Sequence, residues 1–252
     1  MKMNITVGRG KVEMAKAAAE FAAVRIRAAI AANGEARVIF ASAASQLEFV
    51  DEMLGRTDID WSKVCGFHLD EYVGLPETHG ASFRRFLKER LLAKLPCAVK
   101  SFTFVRGDAA DTAGELARLE AAVRERPIDL ACIGIGENGH IAFNDPPADF
   151  EAKTAYCIVK LDRVCRMQQV GEGWYPDLDA VPTHAFSMTV PQIMAAKSIA
   201  VIVPDERKAK AVAGAVDGPL TNMCPSSILR KHPDCTLFLD PPAASLLKGV
   251  VK

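Results

Sequence analysis

The sequence predicts a three-layer α/β fold, in which a mostly parallel central sheet carries helices on both faces in a Rossmann-like, modified doubly wound arrangement. Two observations lead to this prediction. Short apolar runs rich in β-branched residues alternate with amphipathic segments along the 252 residues. The run 128–135 is apolar along nearly its whole length, as expected for a central strand covered on both faces. No linker, repeat or charge block marks a boundary, so we expect one domain over residues 1–252.

The first half of the chain begins with a predicted helix. Residues 12–32 have apolar positions at helical spacing and end before Gly34, a residue type that often terminates helices. A short β-branched run follows at 36–40 and predicts a strand. A helix-like stretch over 46–54 then ends at Gly55. The order strand, turn, helix is the repeating unit of an α/β fold.

The same unit recurs further along the chain. Apolar runs predict strands at 64–69 and 101–105, each followed by an amphipathic helix, at 82–95 and 111–124. Pro127 and Gly136 bound the central run 128–135. Later segments continue the pattern, with strands expected at 155–159, 185–190, 198–203 and 236–239 and a helix over about 205–216.

Composition excludes several classes of function. Lys plus Arg and Asp plus Glu both number 31, so no global field attracts a polyanion, and we expect no nucleic-acid partner. The longest apolar stretches fall short of the roughly 20 residues of a membrane-spanning helix, so we expect no membrane association. The segment 1–34 mixes charged and apolar side chains, unlike a secretory signal, and a cytoplasmic location is expected.

The seven cysteines have no pairing pattern. They include no C-x-x-C pair and no metal-ligand spacing with histidine. A disulfide framework or a zinc site is therefore disfavoured, and we expect buried, reduced thiols and no metal.

A glycine-rich loop follows the predicted central strand. Gly134, Gly136 and Gly139 form G-x-G-x-x-G, and Asp162 follows Gly139 at nearly the spacing of a ribose-binding carboxylate. The dinucleotide fingerprint needs a helix that opens at the third glycine, however, and the two prolines at 146–147 disfavour one. We therefore expect no nicotinamide cofactor. The other interpretation is a polar pocket whose glycines allow close approach of a ligand.

That pocket would bring together Asn138, His140, Asn144 and Asp145. An imidazole beside a carboxylate can be oriented and can act as a general acid near neutral pH. The structural alternative is that His140 satisfies backbone groups of the loop and that Asp145 caps a turn.

Two adjacent carboxylates, Asp70 and Glu71, follow the predicted strand 64–69. In extended chain they point to opposite sides, so at most one faces a pocket while the other can anchor the loop. An Asp/Glu turn with Tyr72 covering the core is the structural alternative. Together, Asp70 and His140 at neighbouring strand ends would suit proton transfer on a small substrate without a metal.

Recognition of a phosphate needs a strand-to-helix loop and a cation. Residues 41–46 open a predicted helix, and Ser42 and Ser45 supply hydroxyls there. Lys208, near the start of the predicted helix 205–216, can supply the cation. The structural alternative is that Lys208 is a solvated surface lysine, which would not bind the phosphate.

Three motifs resemble those of the glucosamine-6-phosphate deaminases, also called isomerases, which share their fold with the 6-phosphogluconolactonases. They are Leu69-Asp-Glu-Tyr-Val-Gly-Leu-Pro76, Gly134-x-Gly-x-x-Gly-His-Ile-Ala-Phe-Asn-Asp-Pro146 and Lys208-Ala-x-Ala211. The resemblance extends from the first strand to about Asp240. It implies ring opening of an amino-sugar 6-phosphate, proton transfer from C2 toward C1, and hydrolysis of the resulting imine to fructose 6-phosphate and ammonia.

The resemblance also implies roles for individual residues. Asp70 would remove the C2 proton, His140 would assist ring opening as the acid, and Asp145 would orient His140. The substrate-binding set would be Ser42, Ser45, Gly134, Gly136, Gln168 and Lys208. No cofactor is implied. Family members include oligomers and simpler forms. A homo-oligomer is therefore possible for this protein, and the resemblance implies no number of subunits.

Three positions and one loop depart from the family pattern. Asp145 stands where a glutamate is usual, so it must reach one methylene less or act through water. Asn138 stands where the pattern has an aspartate, and its neutral amide can orient the imidazole but cannot stabilise imidazolium by charge. The phosphate loop lacks its glycines. An arginine used near the phosphate falls on or near Gln168, with Arg166 two residues away, which weakens the expected phosphate binding.

We therefore expect a glucosamine-6-phosphate deaminase. Two alternatives stay open: a 6-phosphogluconolactonase-type hydrolase, and a catalytically weak regulator that binds a sugar phosphate. The sequence Ile141-Ala-Phe-Asn-Asp145 after the histidine differs from the Thr-Ala-Ser-Leu-Phe typical of lactonases and favours the deaminase.

Overall fold

The computed structural model describes residues 3–249, which form two sheets surrounded by helices. The strands are β1 Asn4–Val7, β2 Ala36–Phe40, β3 Val64–His68, β4 Asp70–Tyr72, β5 Ser101–Thr103, β6 Leu130–Ile133, β7 Tyr156–Lys160, β8 His184–Met188, β9 Ser198–Val203 and β10 Cys235–Leu239. The α-helices are α1 Lys11–Asn33, α2 Leu47–Leu54, α3 Phe83–Phe86, α4 Thr112–Arg124, α5 Arg163–Gly171, α6 Val190–Met194 and α7 Ala209–Asp217.

The larger sheet has seven strands in the order β1-β10-β9-β6-β2-β3-β5, and every pair is parallel. Its side chains alternate between two cores, as the pleat requires. Val38 and Phe40 of β2 pack with α1 and α2 on one face. Ile39 packs on the other face, in a core that includes side chains of α4, α6 and α7. The predicted three-layer α/β class is confirmed.

The second sheet has three antiparallel strands in the order β4-β8-β7. The sequence predicted one strand over 64–69, but the ladder of the large sheet ends at His68. The chain then passes to the second sheet, where Asp70 pairs with Ser187. The predicted strands 155–159 and 185–190 belong to this smaller sheet. They do not extend the parallel sheet.

Helix boundaries differ from the prediction in two regions. The predicted helix 205–216 begins as a 3₁₀ turn over Glu206–Lys208, and α7 starts only at Ala209. The predicted helix 82–95 consists of α3, a π turn over Leu87–Leu91 and a 3₁₀ turn over Leu92–Lys94. The helices α5 and α6 and the edge strand β1 were not predicted. The end of α1 was predicted correctly, because Gly34 has a φ of 79° and its N–H donates to the carbonyl of Ile30.

All seven cysteines are free thiols. Four are buried, but Cys97 is exposed and Cys157 and Cys224 are half-buried, so the expectation of buried thiols is correct for part of the set. Among residues 3–249, no helix combines the length and the apolarity that crossing a bilayer requires.

Four neighbouring strands of the large sheet, β9, β6, β2 and β3, end at the same edge. The segments that follow them carry Lys208, the segment 134–140, the segment 41–46 and Asp70, which is the first residue of β4. Because parallel strands present their carboxyl ends together, these segments meet at one place.

Candidate active site

The carboxyl edge of the large sheet holds a pocket of about 500 Å³, open solvent at its mouth included. Many of the sequence-predicted residues line it: Ser42, Ser45, Asp70, Gly134, Gly136, His140, Gln168 and Lys208. Asp70 and His140 therefore converge on one space, as the sequence predicted. A pocket of this size suits a small ligand.

Asp70 and Glu71 face opposite ways, as expected of extended chain. Asp70 lines the pocket and is only 6% exposed. Burial, together with the nearby Glu71 carboxylate, raises the pKa of Asp70 well above its ordinary value. A carboxylate in such surroundings is a stronger base than one in water.

Glu71 anchors the loop behind the pocket. Its carboxylate accepts hydrogen bonds from Ser82 Oγ at 2.8 Å and from the backbone N–H of Arg84 at 2.8 Å and of Tyr72 at 3.0 Å. Burial still raises the pKa of Glu71, although these hydrogen bonds oppose the rise. The anchored loop begins α3 at Phe83, which lines the pocket and stacks on Phe143 at 5.7 Å between ring centroids.

His140 depends on the glycine beside it. A Cβ atom at Gly136 would lie 2.1 Å from His140 Nε2, so only glycine leaves room for the ring. The backbone carbonyl of His140 accepts a hydrogen bond from Gly136 N at 2.9 Å, which closes the loop. No helix begins directly after Gly139. The chain forms a turn there instead, closed by the isolated bridge between Ile141 and Asn144.

Asp145 contacts the imidazole directly. His140 Nδ1 donates to Asp145 Oδ1 at 3.0 Å, so the shorter carboxylate needs no bridging water. Asp145 also accepts hydrogen bonds from Asn138 Nδ2 at 2.9 Å and from the backbone N–H of Asp162 at 3.0 Å. Burial opposes ionisation, but the hydrogen bonds and the charge of His140 outweigh it and lower the pKa of Asp145.

Asn138 differs from its predicted role. Its side chain forms no hydrogen bond to the imidazole and does not line the pocket. Its Oδ1 accepts from the backbone N–H of His140, and its Nδ2 donates to Asp145 and Asp162. Asn144 was expected in the pocket but lies behind it, where its Nδ2 donates to the carbonyls of Ile141 and Met188 at 2.8 Å. It holds the turn after His140.

The segment 41–46 forms one wall of the pocket. Gln46 Nε2 donates to the carbonyl of Ile202 and to Ser45 Oγ, both at 3.2 Å, and ties the wall to β9. Ser42 Oγ lies 3.4 Å from Nε2 of the buried His68. Burial, assisted by Arg84, lowers the pKa of His68 to about 3, so this imidazole is neutral at physiological pH.

The tautomer of His68 bears on Ser42. The backbone N–H of Val105 donates to His68 Nδ1 at 3.3 Å, which leaves the proton on Nε2, facing Ser42 Oγ. The Ser42 hydroxyl hydrogen is then free to donate into the pocket. His68 was not predicted as a site residue, because nothing in the local sequence pattern separates it from a core residue.

Lys208 is buried, 4% exposed, and lines the pocket. Within residues 3–249, no carboxylate lies within 4.0 Å of its ammonium nitrogen. Burial lowers the pKa of Lys208, and the more distant Glu172 and Glu137 partly offset that effect. The structural alternative of a solvated surface lysine is wrong. A buried cation that faces a pocket is suited to bind an anion.

Helix α5 contributes a second wall. Gln168 and Gln169 both line the pocket, and Gln168 donates through Nε2 to Glu172 at 2.8 Å. Arg166 does not take the place of the missing arginine, because its guanidinium donates to the carbonyl of Val181 at 3.0 Å and lies outside the pocket lining. Gln169, Phe83 and Phe143 are pocket residues that sequence reasoning missed.

His140, Asp145 and Cys165 form the group that could ligate a metal. Their ligand atoms lie within 4.8 Å of one another, which their spacing in the sequence did not predict. Burial, reinforced by Asp145 and Asp162, raises the pKa of the Cys165 thiol above its ordinary value. His140 Nδ1 and Asp145 Oδ1, two of these ligand atoms, already form a hydrogen bond with each other at 3.0 Å, so the arrangement fits a hydrogen-bonded network.

Comparisons with known proteins show the family of the chain. Residues 9–238 match the family described as glucosamine-6-phosphate isomerases/6-phosphogluconolactonase. A glucosamine-6-phosphate deaminase from Streptococcus pneumoniae (strain Hungary19A-6) is 37% identical over 217 residues, 86% of this chain and 89% of that protein. One from Listeria monocytogenes serotype 4a (strain HCC23) is 37% identical over 215 residues, 85% of this chain and 89% of that protein.

Solved structures extend the comparison. A monomeric glucosamine-6-phosphate deaminase superposes with a TM-score of 0.86 at 26% identity, over 97% of this chain and 100% of that one. A putative 6-phosphogluconolactonase from Neisseria gonorrhoeae FA 1090 has a TM-score of 0.73 at 21% identity, over 94% and 99% of the two chains, and shares the fold. The chain belongs to the family of glucosamine-6-phosphate isomerases and 6-phosphogluconolactonases.

Proposed function

We propose that this protein is a glucosamine-6-phosphate deaminase, which converts the amino sugar to fructose 6-phosphate and ammonia. The observation that carries the proposal is that a buried carboxylate, an imidazole paired with a carboxylate, and a buried ammonium group all face one pocket. We further propose that residues 1–252 act as one cytoplasmic domain. The 37% identical relatives from two bacteria support the substrate.

His140 would act first, as the acid that opens the pyranose ring. Protonation of the ring oxygen allows the bond between C1 and that oxygen to break, and the C1 hydroxyl passes its proton to water, which gives the open-chain aldehyde. Asp145 supports this role because it accepts a hydrogen bond from Nδ1–H and leaves Nε2, on the side of Gly136, for the substrate. A carboxylate that orients an imidazole in this way is a common arrangement in acid–base catalysis.

Asp70 would then remove the proton from C2. The C2–H electron pair forms the C1–C2 double bond while the aldehyde oxygen takes up a proton from water, which gives the enol. Asp70 then returns its proton to C1, which leaves a protonated imine between C2 and nitrogen. Water adds to the imine, and ammonia leaves as the C2 ketone forms. Burial supports the role of Asp70, since a raised pKa makes the carboxylate a better proton acceptor.

Lys208 would bind the phosphate with the hydroxyls of Ser42 and Ser45. All three groups line the pocket. Lys208 lies in the segment after β9, and the two serines lie in the segment after β2. Gly134 and Gly136 would let the sugar approach the backbone, and Gln168 would donate an amide hydrogen bond in the place of a second cation. Phosphate binding with one cation is expected to be weaker than with two.

The test is to supply glucosamine 6-phosphate and 6-phosphogluconolactone separately, and to follow ammonia release and loss of the lactone. We expect ammonia and fructose 6-phosphate in equal amounts, and no more lactone loss than without protein. Lactone loss without ammonia would replace the proposal with the lactonase alternative. Saturable binding of glucosamine 6-phosphate without turnover at any pH would favour the regulator.

A further inference from the structure

We propose that Asp162 is a positioning residue, which holds Asn138 and Asp145 in the arrangement that orients His140. This inference rests on the proposed role of His140 as an acid. Asp162 belongs to a later segment of the chain than His140, and it lies outside the pocket lining. Its effect on catalysis must therefore pass through the residues that it contacts.

Three contacts place Asp162 at the centre of this network. Its backbone N–H donates to Asp145 Oδ2 at 3.0 Å. Its Oδ2 accepts from Asn138 Nδ2 at 3.0 Å, and its Oδ1 accepts from the N–H of Cys165 at 2.6 Å, which caps the start of α5. One aspartate thus joins the acid pair to the helix that carries Gln168.

The amide of Asn138 is the intermediary. An asparagine can present its oxygen or its nitrogen after a half-turn of the side chain, and hydrogen bonds decide between the two. Here the Nδ2 group lies between two carboxylates, Asp145 at 2.9 Å and Asp162 at 3.0 Å, while Oδ1 accepts from the N–H of His140 at 3.0 Å. The second carboxylate therefore fixes the amide in the orientation that supports Asp145.

Asp162→Asn separates this role from helix capping. Asparagine caps helices as well as aspartate does. When its oxygen accepts from Cys165 N–H, however, its own NH₂ group faces the NH₂ group of Asn138, and two donors oppose each other. Asp162→Ser is the second variant, because serine also caps the helix but does not reach Asn138. Asp111→Asn is the matched control, since Asp111 caps α4 by accepting from Gly114 N at 2.9 Å and is exposed.

We expect kcat for ammonia release to fall about tenfold in both Asp162 variants, as loss of one charge-assisted hydrogen bond predicts, with KM changed less than about twofold. Asp111→Asn should keep both constants. Because Asp162 acts through Asn138, the double variant Asn138→Ala with Asp162→Asn should be no slower than Asn138→Ala alone. If the losses of kcat in the two single variants add up in the double variant, the inference is overturned. The same kcat in Asp162→Asn and Asp111→Asn would also overturn it.

A second readout keeps this test separate from that of the proposed function. The downfield proton signal of the His140 Nδ1–H bond to Asp145 should shift in Asp162→Asn and stay in place in Asp111→Asn, whether or not the protein turns over the sugar. If the wild type releases no ammonia but the signal shifts in this way, the proposed function fails and the positioning role stands. An unmoved signal in Asp162→Asn refutes the positioning role.

Discussion

Replacement of Asp145 by asparagine tests the acid pair most directly. The carboxylate oxygen Oδ1 accepts from both His140 Nδ1 and Asn138 Nδ2, and Oδ2 accepts from the N–H of Asp162. Asparagine has the same shape but only one acceptor oxygen. If that oxygen stays with His140, the amide nitrogen faces the N–H of Asp162, and one buried donor loses its partner.

The magnitude follows from these contacts. A hydrogen bond to a charged group contributes about 1.5–3 kcal/mol, against about 1 kcal/mol for a neutral one, so an amide oxygen in place of the carboxylate lowers kcat by about 2- to 30-fold. An unsatisfied buried donor costs about 1–3 kcal/mol of folding free energy. The Asp145 side chain is only 7% exposed, so solvent screens little of either loss. We expect both effects in Asp145→Asn, with KM changed less than kcat.

The loss of stability should depend on pH in a defined direction. The pKa of Asp145 is lowered in the folded protein, so its carboxylate stabilises the fold above the ordinary value of 3.8. That stabilisation disappears as the pH falls through the lowered pKa. The difference in free energy of unfolding between wild type and Asp145→Asn should therefore be full at neutral pH and shrink below about pH 4.

Steady-state ammonia release and urea unfolding at several pH values measure both quantities. Asp149→Asn is the control, because Asp149 is exposed and close to Asp145 in the sequence. Unchanged kcat in Asp145→Asn would refute the role of the carboxylate in orienting His140. A stability difference that grows as the pH falls would refute the assignment of the lowered pKa.

Three further variants test the remaining parts of the site. Asp70→Asn should lower kcat by about 10²- to 10⁴-fold. Because burial and Glu71 raise the pKa of Asp70, the variant should also unfold at a higher temperature than wild type at neutral pH. That gain should be absent below about pH 4, where wild-type Asp70 is protonated in both states, and a lower melting temperature at neutral pH would contradict the raised pKa. Lys208→Met should raise KM for glucosamine 6-phosphate about 10- to 100-fold, and equal wild-type turnover of unphosphorylated glucosamine would contradict a phosphate site. Gly136→Ala should lower kcat at least about tenfold because its methyl group meets the His140 ring, and Gly10→Ala, which meets nothing within 4 Å, serves as its control.

The sequence predicted the central strands because their signal is local. Buried strands such as β6 and β9 read as short apolar runs, and their length and their flanking proline and glycine residues distinguish them from buried helix segments. β1 gave no such signal, since three of its four residues are exposed. Helix α5 reverses the usual pattern: Val164 and Met167 are exposed, at 52% and 45%, while the polar Gln169 is buried. Apolar periodicity cannot reveal such a helix.

The site was predictable to the extent that its residues follow strand ends. Asp70, His140 and Lys208 each follow the carboxyl end of a strand of the large sheet, and parallel strands bring their carboxyl ends together. The contacts of Asn138 were not predictable, because an amide both donates and accepts and its partner Asp162 is distant in the sequence. The break between β3 and β4 was also hidden, since one residue, Leu69, separates two strands of different sheets.

The placement of β10 constrains how the protein is made. This strand lies between β1 and β9, and it is the last strand in the sequence among residues 3–249, ending at Leu239. During synthesis β1 has no neighbour to pair with until the ribosome has released residues 235–239. Contacts between segments far apart in the sequence form slowly, so this edge is expected to close late in folding, and nascent chains would expose β9 to aggregation and to chaperones until then.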